Sequence, residues 1–322
     1  MAKIWIDVSG IHQAHLLTAL SRSIKDDAEL FITVAGGRQP GLILRFSSVN
    51  STIIRGNGSD PLQRYADRVL LLSRKIEKFN PDLLISDLDP AAIRTAFGLG
   101  IPCWSVYSNG DLSRTEMEKR MSYPLCEKVF SSSFFERQKL TSDGIPDDRI
   151  VEFDGFNECY LKTANHSEST YPRILIRPNG HNPPNWTEKL TSGLIENIDQ
   201  ASITVLGMKS KAMRYLEHIS ERIKILDFIP YPPVIKHDLF IGWGRMLGES
   251  FVMGLPSIRT ANEDHPDLSI AYQQQPVISE PNQITQASCE MIIKQPDRSS
   301  ASRLEDPVSV ITAHLRDQDL YS

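Results

Sequence analysis

Residues 237–256 read HDLFIGWGRMLGESFVMGLP, and this stretch decides the fold. A buried strand pattern, DLFIG, runs into Gly242 and Gly244, and helical spacing takes over near Arg245. A short strand pattern, LPSIR, follows Gly254. Strand, glycine turn, helix and strand in that order predict a βαβ unit in a parallel sheet. The first N–H groups of the helix lie beside the glycines, where unsatisfied donors and the helix dipole favour an anion. Arg245 adds a full positive charge with a forked donor geometry. Glu249, one turn on, is placed to accept hydrogen bonds from the two hydroxyls of a ribose. A tight turn with an Arg245–Glu249 ion pair at i, i+4 accounts for the same residues without any ligand.

The same alternation extends in both directions. KIWIDV opens the chain as a buried strand, and residues 12–24 follow with helical spacing of Ala14, Leu17, Leu20 and Ile24. ELFITVA, STIIRG, DLLIS, CWSVY, KVFSSS and RIVEF continue as strands, about six or seven in the first half. Residues 61–79 form a long amphipathic helix with Leu62, Tyr65, Val69, Leu72 and Ile76 on one face. Asp89-Pro90 is a helix start, an N-cap acid followed by Pro at the first helical position. Residues 158–171 are polar and read as a linker. A second series follows: RILIRP, a helix over 186–198, SITVL, a helix over 209–219, IKILDFI, the opening stretch, and helices over 283–293 and 308–315. The expected domains are therefore residues 1–165 and 166–322, two Rossmann-type, doubly wound α/β halves facing a cleft, with ligands at the carboxyl ends of the strands.

The 322 residues carry 35 Lys and Arg against 40 Asp and Glu, a net charge of -5, which excludes a whole-chain nucleic-acid surface. No apolar run approaches the ~20 residues of a membrane span, and MAKIWIDVSG begins directly with a strand pattern, so no signal peptide or anchor is expected. The four cysteines are scattered without a C-x-x-C pair, which predicts reduced thiols in a cytoplasmic protein and no zinc or redox motif. Histidine spacing suggests no metal site, no P-loop is present, and no cofactor is expected beyond a nucleotide-sugar substrate.

Further candidates sit at strand ends. Asp87, just beyond the strand LLIS, stands where catalytic carboxylates often project and is a candidate base, while Asp89 is the helix cap. Arg177, at the end of the first strand of the second half, suits a diphosphate or a surface acid. His181, in the loop RPNGHNPPNW, is a ligand candidate against a default of polar turn.

Strand, G-x-G, helix with Glu, then G-x-P and a strand resembles the donor-nucleotide motif of GT-B glycosyltransferases. With KIWIDVSGIHQAH, RTAFGLGIP, YPLCEKVFSSSFF, RIVEFDGFNECYL and RILIRP, the chain is similar end to end to an uncharacterised, largely archaeal family of domains of unknown function within the GT-B glycosyltransferase and sugar-nucleotide epimerase superfamily. The resemblance implies a metal-independent glycosyltransferase, moving a sugar from a nucleotide-diphosphate donor to a small or lipid-linked acceptor and leaving room for peripheral membrane contact. Base, ribose and diphosphate would lie on the second half, with Gly242, Trp243, Gly244, Arg245, Met246 and Glu249 as binding residues. The loop at Gly10, with His12, Gln13 and His15, would offer a general base or phosphate hydrogen bonds; one histidine capping the helix and the other at the surface is the plainer account, and His12 is the stronger candidate.

Two departures stand out. The family pattern has Gly and Thr where this chain has Trp243 and Arg245, and Trp243 is bulky enough to hinder a diphosphate while offering a face to a base or sugar. The epimerases carry a catalytic Glu in an E-E-x-N-R segment, partly matched by Glu116 and Arg120 in SNGDLSRTEMEKR, where Asn109 is a further binding candidate. Their His-Arg pair is Ile176-Arg177 here, which argues against the epimerase reaction. A non-catalytic protein binding a nucleotide or a partner on the same fold is the remaining alternative.

Overall fold

A computed structural model describes residues 1–107, 121–167, 169–178, 182, 185–207, 214–260, 268, 271, 273, 275–292 and 299–318, without the side chains of His12 and Ser300. The chain forms two compact units, Met1–Asn157 with Glu305–Ser322, and Glu158–Leu304.

The first unit holds a seven-stranded sheet of β1 (Ala2–Val8), β2 (Ala28–Val34), β3 (Thr52–Ile53), β4 (Leu83–Ser86), β5 (Cys103–Val106), β6 (Lys128–Ser132) and β7 (Ile150–Phe153). Its order is β3-β2-β1-β4-β5-β6-β7, with every pairing parallel. Consecutive residues such as Leu83–Ser86 are buried on both faces, as a covered parallel sheet requires. Among the described residues of Met1–Asn157 the helices are α1 (Ile11–Ile24), α2 (Arg38–Phe46), α3 (Pro61–Phe79), α4 (Pro90–Gly98) and α5 (Arg137–Ser142). The sequence pattern passes over α2 and α5; in α2, Pro40 falls in the first turn, where its missing N–H is harmless.

Asp60 caps α3 by accepting from Gln63 N at 2.9 Å, and Asn80 ends it in the left-handed conformation at φ 52°. The inner stripe of α3 is Arg68, Leu72 and Ile76, with Tyr65 and Val69 beside it. Leu62, expected on this face, is 76% exposed, because it lies in the first turn off the i, i+4 line of those three residues.

The second unit holds a five-stranded parallel sheet of β8 (Arg173–Ile176), β9 (Ser202–Leu206), β10 (Ile223–Leu226), β11 (Leu239–Gly242) and β12 (Ser257–Arg259), in the order β10-β9-β8-β11-β12. Helices α6 (Trp186–Asn197), α7 (Met246–Met253) and α8 (Pro281–Met291) accompany it. Ile174, Ile176, Leu190, Leu194, Ile241 and Ile284 share one core. The described part of the helix expected over 209–219 is a 3-10 turn, Arg214–His218.

Two expectations about the boundaries change. The polar linker begins with a 3-10 helix, Asn157–Thr163, that buries Glu158, Cys159 and Leu161. The last helix, α9 (Pro307–Asp317), groups with the first unit instead of extending the second half to residue 322. Its apolar face packs on α1, and His314 stands edge-on to Phe130 at 5.5 Å between ring centres.

Candidate functional site

In each sheet the strand order reverses once: between β1 and β4 in the first unit, and between β8 and β11 in the second. The carboxyl ends of the flanking strands are where open α/β sheets bind ligands.

In the second unit these ends carry Arg177 and the turn from Gly242 to Arg245. Arg177 N donates to Ile241 O at 2.8 Å, continuing the ladder one residue past β8. A Cβ on Gly242 would lie 2.7 Å from Phe240 Cζ and 3.0 Å from both Cβ and O of Arg177, so glycine is what lets the two strand ends meet. Gly244 takes φ 76°, the left-handed region, and α7 opens at Met246 with Leu247 N bonded to Gly244 O at 2.9 Å. Trp243 Nε1 donates to Pro178 O at 3.1 Å, and the Arg177 guanidinium lies 4.8 Å from the centre of the Trp243 ring. The indole is thereby fixed across the two strand ends.

Arg245 takes an unexpected partner. Its Nε and Nη2 form a two-pronged pair with the Glu158 carboxylate, the Nη2–Oε2 arm at 2.8 Å, and both residues are buried. Glu249 is 8% exposed, and its Oε2 has no hydrogen-bond partner among the described residues. Burial, reinforced by the charge of Glu158 and partly offset by Arg177 and Arg245, raises its pKa to about 8. The carboxyl is therefore protonated at neutral pH, able to donate one hydrogen bond as well as accept. The Tyr160 hydroxyl is buried and shifted upward by burial, with Glu249 and Glu158 adding to the shift.

The first unit's switch point is a network of acids around one base. Asp87 is buried and accepts from Ser9 N at 2.9 and 2.8 Å and from Gly10 N at 2.6 Å, so it holds the β1–α1 loop. Burial raises its pKa, against those donors. Leu88 follows at φ 72°, a left-handed conformation costly for leucine, and Asp89 then caps α4 through Ala91 N and Ala92 N at 2.9 and 3.0 Å. Arg68 Nη2 donates to Asp7 Oδ1 at 2.7 Å, Nη1 to Asp89, and Nε to Ile54 O at 2.9 Å. The Thr33 hydroxyl donates to Asp7 and accepts from Trp5 Nε1 at 2.7 Å. Burial raises the Asp7 pKa to about 7, with Arg68 opposing the shift and Asp89 adding to it.

Gly242, Trp243, Gly244, Met246, Glu249 and Arg177 are brought together at one strand end. Arg245 is in the same group, but its guanidinium faces Glu158. Gly10 and Gln13 adjoin Asp87: a Cβ on Gly10 would sit 2.8 Å from Gln13 Oε1 and 3.4 Å from Asp87 Oδ2. Asp87, expected to project as a base, is committed to backbone donors. Gly10 caps α1 without a side-chain bond, so neither histidine is the cap. His15 is half-buried rather than at the surface, and burial lowers its pKa to about 4. Asn109, Glu116 and His181 lie outside the described residues, as does the side chain of His12. Sequence reasoning missed Glu158 and Arg68. A charged residue on the apolar stripe of α3 was the available signal for Arg68, and ECYL, an acid leading an apolar run, for Glu158.

Among the described residues, no group of three or more His, Cys, Asp or Glu could hold a metal ion, and no helix is long and apolar enough to cross a membrane.

Solved structures share this fold. The chain is similar to the UDP-GlcNAc 2-epimerase of Methanocaldococcus jannaschii, with TM-score 0.72 and 13% identity over 98% of this chain and 99% of that one. It is similar to the Neisseria meningitidis UDP-GlcNAc 2-epimerase bound to UDP-GlcNAc, at 0.67 and 14% over 98% and 100%. Anabaena HepE in complex with UDP and glucose matches at 0.61 and 14%, over 99% of both chains. These likenesses establish a GT-B-like fold of two Rossmann-type units. An uncharacterized protein of Methanocaldococcus jannaschii is 22% identical over 284 residues, 79% of this chain and 80% of that protein. A family model described as "Protein of unknown function (DUF354)" matches residues 2–174, more than half of the chain, and the protein belongs to that family.

Proposed function

We propose that the protein is a metal-independent glycosyltransferase that binds a nucleotide-diphosphate sugar at the carboxyl end of the second sheet. The observation that carries this reading is the Gly242–Gly244 turn at the β8/β11 switch point, leading into a helix whose first turn holds the buried, partly unsatisfied carboxyl of Glu249. The diphosphate would lie against the N-terminus of α7 and Arg177, the ribose hydroxyls against Glu249, and a base or sugar ring against Trp243. UDP-GlcNAc, UDP and glucose in the similarly folded proteins support a sugar-nucleotide ligand. In the reaction the acceptor oxygen bonds to the anomeric carbon, the carbon–phosphate-oxygen bond breaks, and the leaving diphosphate takes the electron pair beside Arg177 and the helix N-terminus. The acceptor proton goes to a base, for which His12 is the candidate.

Trp243 provides the test, because the other three tryptophans, Trp5, Trp104 and Trp186, are buried. Titration with UDP and GDP is expected to change its fluorescence, and saturating nucleotide at about 100 times Kd to stabilise the fold by about 2.7 kcal/mol. Absence of binding by either nucleotide sinks the reading. Glu249→Ala is expected to weaken binding, and unchanged affinity removes the ribose assignment. UDP release from UDP-GlcNAc that requires an added acceptor supports transfer; release without acceptor favours the epimerase alternative.

A further inference from the structure

The ends of β8 and β11 carry two arginines, Arg177 and Arg245, and the structure gives them unequal roles. Both arms of Arg245 are engaged by Glu158, and the two side chains are 10% and 6% exposed. An exchange in which phosphate replaces Glu158 on Arg245 would strand a buried carboxylate beside Glu249 and the incoming phosphates, a costly arrangement. The pair therefore meets a ligand as a nearly neutral unit. The half-exposed Arg177 guanidinium on the Trp243 ring and the N-terminus of α7 lie beside this pair. Glu249 is held neutral mainly by its own burial, to which the charge of Glu158 adds.

We propose that Glu158 sets the charge of the ligand this site retains: by cancelling Arg245 it lets the site hold a sugar nucleotide, with about two negative charges, and weakens its hold on the free nucleoside diphosphate, with about three. Glu158 is then a specificity and product-release determinant that acts through Arg245 without touching the ligand. This rests on the turn being a nucleotide site.

The experiment uses the full chain, with UDP and UDP-GlcNAc titrated calorimetrically at about pH 7. Glu158→Gln keeps one acceptor for Arg245 and removes the charge. It is expected to tighten UDP roughly tenfold and UDP-GlcNAc by less, shifting the preference toward UDP. Arg245→Gln, which leaves the Glu158 charge uncancelled, shifts the preference the opposite way. Glu158→Gln combined with Arg245→Gln restores a neutral pair and is expected to return both affinities to within about twofold of the parent. The proposal is overturned by an unchanged UDP to UDP-GlcNAc ratio in Glu158→Gln. If that variant does not fold, the double variant decides: a tenfold or larger loss of UDP affinity means that Arg245 contacts the ligand, and the proposal fails. A parent chain that binds neither nucleotide fails the site reading itself, and the proposal with it.

Discussion

At the first unit's switch point one guanidinium, Arg68, lies among the carboxyls of Asp7, Asp87 and Asp89; at the second unit's, Arg177 and Arg245 lie near two, Glu158 and Glu249. Each place also holds an acid with one oxygen lacking a hydrogen-bond partner among the described residues, Asp7 Oδ2 and Glu249 Oε2, and a raised pKa, about 7 and about 8. The difference lies in what surrounds the acid. Asp7 is wholly buried within β1, where side chains hold backbone and one another. Glu249 sits in the first turn of a helix, behind a glycine turn and beside the half-exposed Trp243 and Arg177. The same sheet topology thus surrounds its acid with wholly buried groups in one unit and with half-exposed ones in the other.

Arg68→Met should break the first arrangement most severely. It leaves Asp7 and Asp89 without their buried cation, and a loss of about 3–5 kcal/mol in urea unfolding is expected; a loss below about 1 kcal/mol would mean that the acids are satisfied without Arg68.

Titration sharpens the comparison next. Asp7 and Glu249 have folded pKa values above their ordinary 3.8 and 4.5, so folding takes up protons. The stability they contribute is complete below about pH 4, falls as pH rises, and is gone once pH passes about 7 for Asp7 and about 8 for Glu249. Each group gives a slope of up to about 1.4 kcal/mol per pH unit. Glu249→Gln should remove one group's slope, so that the variant gains on the parent by up to about 3 kcal/mol between pH 6 and 8. Parallel stability curves for the two proteins would place Glu249 in water.

The glycines give a smaller, paired test. Gly242→Ala must push Cβ against Arg177 backbone and Phe240, and about 1–3 kcal/mol of destabilisation is expected, with loss of nucleotide-dependent fluorescence. Gly10→Ala meets only the movable end of Gln13 at 2.8 Å, at an ordinary φ of -106°, and should stay within about 0.5 kcal/mol of the parent. Equal costs at both positions would erase the distinction between a close backbone approach and a permissive loop.

Most of the sheets and the Asp89 cap were legible in the sequence. Consecutive apolar residues bounded by polar turns mark covered parallel strands, and Asp89-Pro90 marks a helix start by chemistry local to three residues. The G-W-G-R turn was legible for the same reason. The partners of its side chains were not, because Glu158 and Arg245 are 87 positions apart and Arg68 and Asp7 are 61 apart. Periodicity reports which face is buried, but it does not report which distant charge waits there. Arg245 therefore reads as a ligand group in sequence and as one half of an ion pair in the structure. Asp87 likewise reads as a projecting base until Ser9 N and Gly10 N are seen to occupy it.

The return of α9 to the first unit makes the second unit an insertion within the first, since the chain leaves at Asn157 and re-enters at Glu305. The exit and re-entry are laced by reciprocal bonds, Asp154 N to Glu305 Oε2 and Glu305 N to Asp154 O, each 2.6 Å. Tension applied to the two chain ends would run through the first unit alone. The second unit lies within a loop closed by that lacing and would bear no load until the first had yielded.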